Sequence, residues 1–187
     1  MANIGLSQPY VAKYTEDTTG VVTYSDLRKI GKAISVDLDI QGREPTILFG
    51  DNGPAEAYGI FGGGTATLEI DELGLEDAIE LFGLTPPATG SPVIAEFSTD
   101  DAPPYFAECF IGKKVHNATV KWRLIVLYRV QFMVPNYTIN TQGQSVEFQV
   151  PSLGATVLTR PDGKWQAWAD YDTEADAIAA MRTVLGI

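Results

Sequence analysis

Histidine and cysteine are almost missing from this sequence: His116 and Cys109 are the only ones. One cysteine excludes a disulfide framework within the chain. One histidine excludes a histidine-rich metal site, and any serine or cysteine triad would have to use it. His116 lies in "KKVHNATV" and reads as an edge histidine beside a strand. Cys109, between Glu108 and Phe110, reads as a small packing residue. Basic residues are also scarce. Thirteen Lys and Arg stand against 24 Asp and Glu, a formal charge of −11. Such a chain does not grip nucleic acid or an anionic membrane by charge. No run approaches the roughly 18 apolar residues of a membrane span. The start, "MANIGLSQPYVAKY", lacks a basic region followed by an apolar one. The protein is therefore expected to be made and kept in a cytoplasm, and the two glycosylation sequons, Asn117-Ala-Thr119 and Asn136-Tyr-Thr138, to be chance. Gly62-Gly63-Gly64-Thr65 has no lysine and leads into a strand pattern, so it is no P-loop. Asp100 and Asp101 precede Ala-Pro-Pro and read as loop solvation. No catalytic residue, metal or cofactor is expected, and the chain is not expected to be an enzyme.

What is present is alternation. In "AISVDLDIQG", residues 33–42, Ile34, Val36, Leu38 and Ile40 alternate with Ser35, Asp37, Asp39 and Gln41. A strand sends these sets to opposite faces, with Asp37 and Asp39 about 6.6 Å apart. "GTATLEID" sets Ala66, Leu68 and Ile70 against Thr65, Thr67, Glu69 and Asp71. "QSVEFQVP" sets Val146, Phe148 and Val150 against Ser145, Glu147 and Gln149. The three polar faces carry no Lys or Arg. Exposed sheets usually mix signs, so a one-sign face points to a directed field. Asp37 and Asp39 are poor candidates for a metal, because hard cations favour loops. The longest pattern, 120–134, places Trp122, Leu124, Val126, Tyr128, Val130 and Phe132 on one face. Its other face is basic but apolar at the centre, so both faces should be covered.

Two helices are predicted. Residues 72–82 space Leu75, Ala78, Ile79 and Phe82 helically, with Gly83 as the stop. Residues 174–185 follow a Thr173/Asp176 pair that resembles a capping box. "TVLTRPDGKWQAW" reads as a hairpin with a charged tip at Arg160, Asp162 and Lys164. The connection 42–63 is long, Gly-rich and aromatic, and such a loop is usually functional or mobile. The length suits one domain with a long excursion.

These stretches, in order, resemble one family. "ISVDLDIQG" is followed by "EPTILFGDNGPAE", then "GGGTATLEIDEL", a helix ending "LFGL", and "SVEFQVPSLGATVLTRPDGKW". The sequence resembles the major tail proteins of tailed bacteriophages, in particular the phi13-type family of tail tube subunits. The last stretch is the most specific. Residues 85–118 match weakly, and 173–187 fall in a tail that varies in the family.

The resemblance implies a single tail tube domain over 1–187, mainly β with a flanking helix (α+β). The implied form is a β-sandwich or barrel whose strands join neighbouring subunits. It implies hexameric rings stacked into a tube of the virion, assembled in the host cytoplasm. The implied partners are further copies of the chain, a tape-measure protein, and tail initiator and terminator proteins. DNA passes through the channel without specific binding. Combined with the one-sign faces, this makes Asp37, Asp39, Glu69, Asp71 and Glu147 the expected channel lining, since each basic group there would hold phosphate. The connection 42–63 becomes an arm, with Phe49, Asp51, Asn52, Tyr58 and Phe61 as expected subunit or ring contacts. The segment 1–14 is expected to act similarly. The competing reading is a β-sandwich module binding carbohydrate or a receptor through Trp165, Trp168 and Tyr171.

Overall fold

The computed structural model describes residues 2–42, 46–50, 53–58, 61–85, 94–136 and 150–187. In chain order its elements are β1 (Ala2–Glu16), β2 (Val22–Lys29), β3 (Ala33–Ile40), β4 (Thr46–Gly50), β5 (Gly53–Tyr58), β6 (Gly64–Ile70), α1 (Leu75–Leu81), β7 (Tyr105–His116), β8 (Thr119–Phe132), β9 (Ser152–Val157), β10 (Gln166–Tyr171) and α2 (Glu174–Leu185). The mainly-β expectation is met. An antiparallel eight-stranded sheet runs β2-β1-β7-β8-β9-β6-β3, with β10 also paired to β8. β4 and β5 form a separate hairpin. The predicted strand in "QSVEFQVP" lies outside the described residues up to Val150.

Two cores divide the sheet. The first takes Val11 from β1, Phe106 and Phe110 from β7, Leu127, Val130 and Phe132 from β8, and Leu68 and Ile70 from β6. α1 closes it with Leu81 and Phe82. One face can collect side chains from both ends of the sheet only if the sheet curls. The curl brings β3 across from β1, β7 and β8. A cleft of about 290 Å³ is left between Ile34–Val36 on one side and Gly5, Leu6, Phe110, Gly112 and Ile125 on the other. The second core lies on the opposite face of β1, β7 and β8, where α2 buries Ala177, Met181 and Leu185 against Cys109, Ile111, Leu124 and Val126. Cys109 is buried there, as its packing role requires, and burial pushes its thiol pKa up.

The helices follow their signals. Thr173 accepts a hydrogen bond from the Asp176 amide at 3.1 Å, and Gly186 ends α2 in the left-handed region. α1 is shorter than the predicted 72–82, and Gly83 (φ +65°) stops it. A Cβ there would stand 2.3 Å from the Ala102 carbonyl oxygen, so only glycine fits.

Four expectations are corrected. The segment 1–14 is not an arm: β1 is an interior strand between β2 and β7. Its Pro9, beside Gln8 at φ +58°, falls where the β1–β7 register shifts, which is how an interior strand tolerates proline. The connection 42–63 is not all loop, since it holds the β4–β5 hairpin. β8 does not keep one apolar face. The β7–β8 register gains a residue between Phe106/Val130 and Glu108/Leu127. That bulge turns Leu124, Val126 and Tyr128 into the second core and Val130 and Phe132 into the first. Finally, the turn at 160–164 forms, with Arg160 N–H donating to the Lys164 carbonyl at 2.8 Å, but its flanking strands separate. The bulge is again the reason. Before it, Tyr128 N–H donates to Trp165 beside β10; after it, Arg129 accepts from Leu158 beside β9.

Candidate functional site

β3, β6 and β9 carry no Lys or Arg anywhere in their sequences. Their inner side chains, including Leu68, Leu153 and Val157, enter the first core. Period-two alternation sends the rest to the opposite face. Antiparallel register then builds rows across the three strands. Ser35 stands opposite Glu69, which stands opposite Ser152; Asp37 opposite Thr67, which stands opposite Gly154; Asp39 opposite Thr65, which stands opposite Thr156. Asp37 and Asp39 are exposed. Ser35 Oγ donates to Glu69 Oε2 at 2.6 Å. Gly154 leaves room for Met133, whose Cε would lie 2.9 Å from a Cβ at that position. The result is an outward face of carboxylates and hydroxyls. β3 pairs with β6 alone among the described strands, so among them it stands at the edge of this face.

The expected lining residues do not all belong to this face. Asp37, Asp39 and Glu69 share it. Asp71 lies just beyond β6 and caps a turn, accepting from the Lys32 amide at 2.7 Å and the Glu72 amide at 2.9 Å. The Lys32 amide hydrogen bond, above all, holds its carboxyl below the usual range. Glu147 lies outside the described residues. So do Asp51 and Asn52, while Phe49 and Tyr58 fall on β4 and β5 with side chains outside what is described. Phe61 stacks on Trp165 at 4.5 Å and 10° between planes, so it serves the subunit's own packing.

Basic side chains near β8 are occupied within the subunit. Arg123 makes two 2.6 Å hydrogen bonds to Asp170, which lower that carboxyl's pKa. Lys121 pairs with Asp172. Arg129 lies 4.2 Å from the Tyr105 ring centroid and 5.3 Å from that of Tyr14, with Glu16 at 3.8 Å. Arg160 covers Tyr128 and Tyr24 and reaches Asp162 at 3.3 Å. Burial and the Glu16 hydrogen bond push the Tyr14 hydroxyl up to about 12. These pairs depend on which strands meet, so the sequence pattern did not reveal them. The hydroxyl row of β9, Ser152 and Thr156, was missed for the same reason.

No protein-family model matches this chain, and no curated protein matches it either. Carboxylates and hydroxyls without a cation hydrate well and repel polyanions. The face therefore suits a surface along which a polyanion must slide.

Proposed function

We propose that this chain is the structural subunit of a bacteriophage tail tube, forming stacked hexameric rings around an acidic channel for DNA. The observation that carries the reading is the outward face of β3, β6 and β9, which holds no Lys or Arg and has β3 at its edge among the described strands. A mainly-β subunit with unpaired edges is prone to aggregate, and closing a ring through those edges removes them. In this reading the curled sheet is the sandwich or barrel of a tube subunit. Asp37, Asp39 and Glu69 face the lumen, and the β4–β5 hairpin reaches a neighbouring subunit or ring. Further copies, a tape-measure protein and the tail's initiator and terminator proteins are the partners; the virion is the destination.

The carbohydrate- or receptor-binding alternative is less well supported. Trp168 is 61% exposed, but Tyr171 packs into the second core and Trp165 is stacked on Phe61. The three do not form one platform.

The test is negative-stain electron microscopy of the purified protein, concentrated in moderate salt to screen its charge. Rings or tubes with a stain-filled centre are expected. Isolated particles at every salt and concentration, even with the tail initiator added, would remove the proposal.

A further inference from the structure

Glu108 is the one charged residue buried in either core among the described residues, at 1% exposure. It stands on β7 between Val11 of β1 and Leu127 of β8, both first-core residues. Neither of its carboxyl oxygens has a hydrogen-bond partner among the described residues. The buried side chains of that core, from β1, β6, β7, β8, β9 and α1, include no other titratable group. By register the same side also carries Arg28 of β2, opposite Val11, and Lys13 of β1, which is exposed. Arg28 is already held by Asp26 and by Asp77 and Glu80 of α1. Arg129, at the β8 bulge, lies against the tyrosines of the other face. Burial alone pushes the Glu108 carboxyl up to about 7.

The backbone beside Glu108 is also interrupted. The β7–β8 register shifts between Phe106 and Glu108, and the β1–β7 register shifts between Ser7 and Tyr10. A buried carboxylate is costly to ionise without a partner, and at these two register shifts the ladder that would hold it is already locally disrupted. We propose that Glu108 is a proton-operated latch: protonated, it holds the β1–β7–β8 seam shut as a neutral core side chain, and on giving its proton to solvent it loosens that seam. The inference stands apart from the tail-tube reading and needs no assembly.

The sign follows from linkage. The folded carboxyl titrates higher than the unfolded one, so its stabilisation is complete below the ordinary value of 4.5 and is lost as pH rises to about 7. Glu108→Gln removes the titration. Chemical denaturation of both proteins from pH 4.5 to 8.5 reads it. The unfolding constant of the natural protein, relative to the variant, should rise by up to about tenfold per pH unit in that window, then level off. Amide protection at 106–110 and 126–130, after division by the intrinsic base-catalysed exchange rate at each pH, should fall over the same range in the natural protein and stay level in the variant. Parallel pH profiles would overturn the latch. If the variant does not fold, infrared spectroscopy of the natural protein with labelled glutamate decides. A protonated carboxyl band present at pH 6 and gone by pH 8.5 supports the latch, and ionised carboxylate alone at both values overturns it.

Discussion

Tails built with the Asp37→Lys, Asp39→Lys subunit are expected to look normal and to release DNA at least about tenfold more slowly than natural tails. Both side chains are exposed and stand on the outward face of β3, perpendicular to the direction of strand pairing. The fold should therefore change by no more than about 0.5 kcal/mol. In the proposed tube the effect lies in the lumen. There each lysine would repeat at every subunit around and along the tube, and each phosphate it neutralised would release counterions and add to the grip. Raising salt should restore much of the rate, because that grip weakens steeply with ionic strength. Asp37→Asn, Asp39→Asn removes repulsion without adding grip and should slow release much less. The measurement is dye fluorescence on triggered DNA release from particles carrying each variant. Equal rates for the lysine and natural particles would show that DNA does not pass this face.

Phe82→Ala should have the largest effect on the subunit itself. Phe82 is fully buried at the end of α1 and plugs the first core where the sheet curls. Removing a large aromatic from such a site costs about 3–5 kcal/mol in lost transfer energy and residual cavity. That is a large share of the roughly 5–15 kcal/mol that holds a domain folded. Urea denaturation should show the midpoint falling sharply with little change in slope. Ile34→Ala, at a residue 49% exposed, is the control and should cost far less. A small loss at Phe82, matching that at Ile34, would mean that α1 does not close the core.

Some of this architecture is legible in the residues. β6 announces itself because one face is buried and the other wetter, and β3 keeps the same period-two alternation although its apolar face is only partly buried. α2 is legible at its start, through the Thr173/Asp176 pair. β7 hides for the opposite reason. Phe106 and Phe110 enter one core while Ala107, Cys109 and Ile111 enter the other, so apolar residues run together and no alternation is left to read. Glu108 is the break in that run, and a lone charge inside it was the available signal. The face switch in β8 depends on a bulge set by its partner strands, which the order of its own residues does not contain. The Arg123–Asp170 pair and the Phe61–Trp165 stack likewise arise only when distant segments meet. Of the candidate site, the carboxylates of β3 and β6 were visible as a pattern. The register that joins Asp37, Asp39 and Glu69 to the hydroxyls of β9 was not.

The most direct measurement is an electron cryomicroscopy reconstruction of the assembled tube at side-chain resolution. The account predicts Asp37, Asp39 and Glu69 on the channel wall, with the edge of β3 paired to a neighbouring subunit. Those carboxylates on the outer wall, with another face lining the channel, would contradict it.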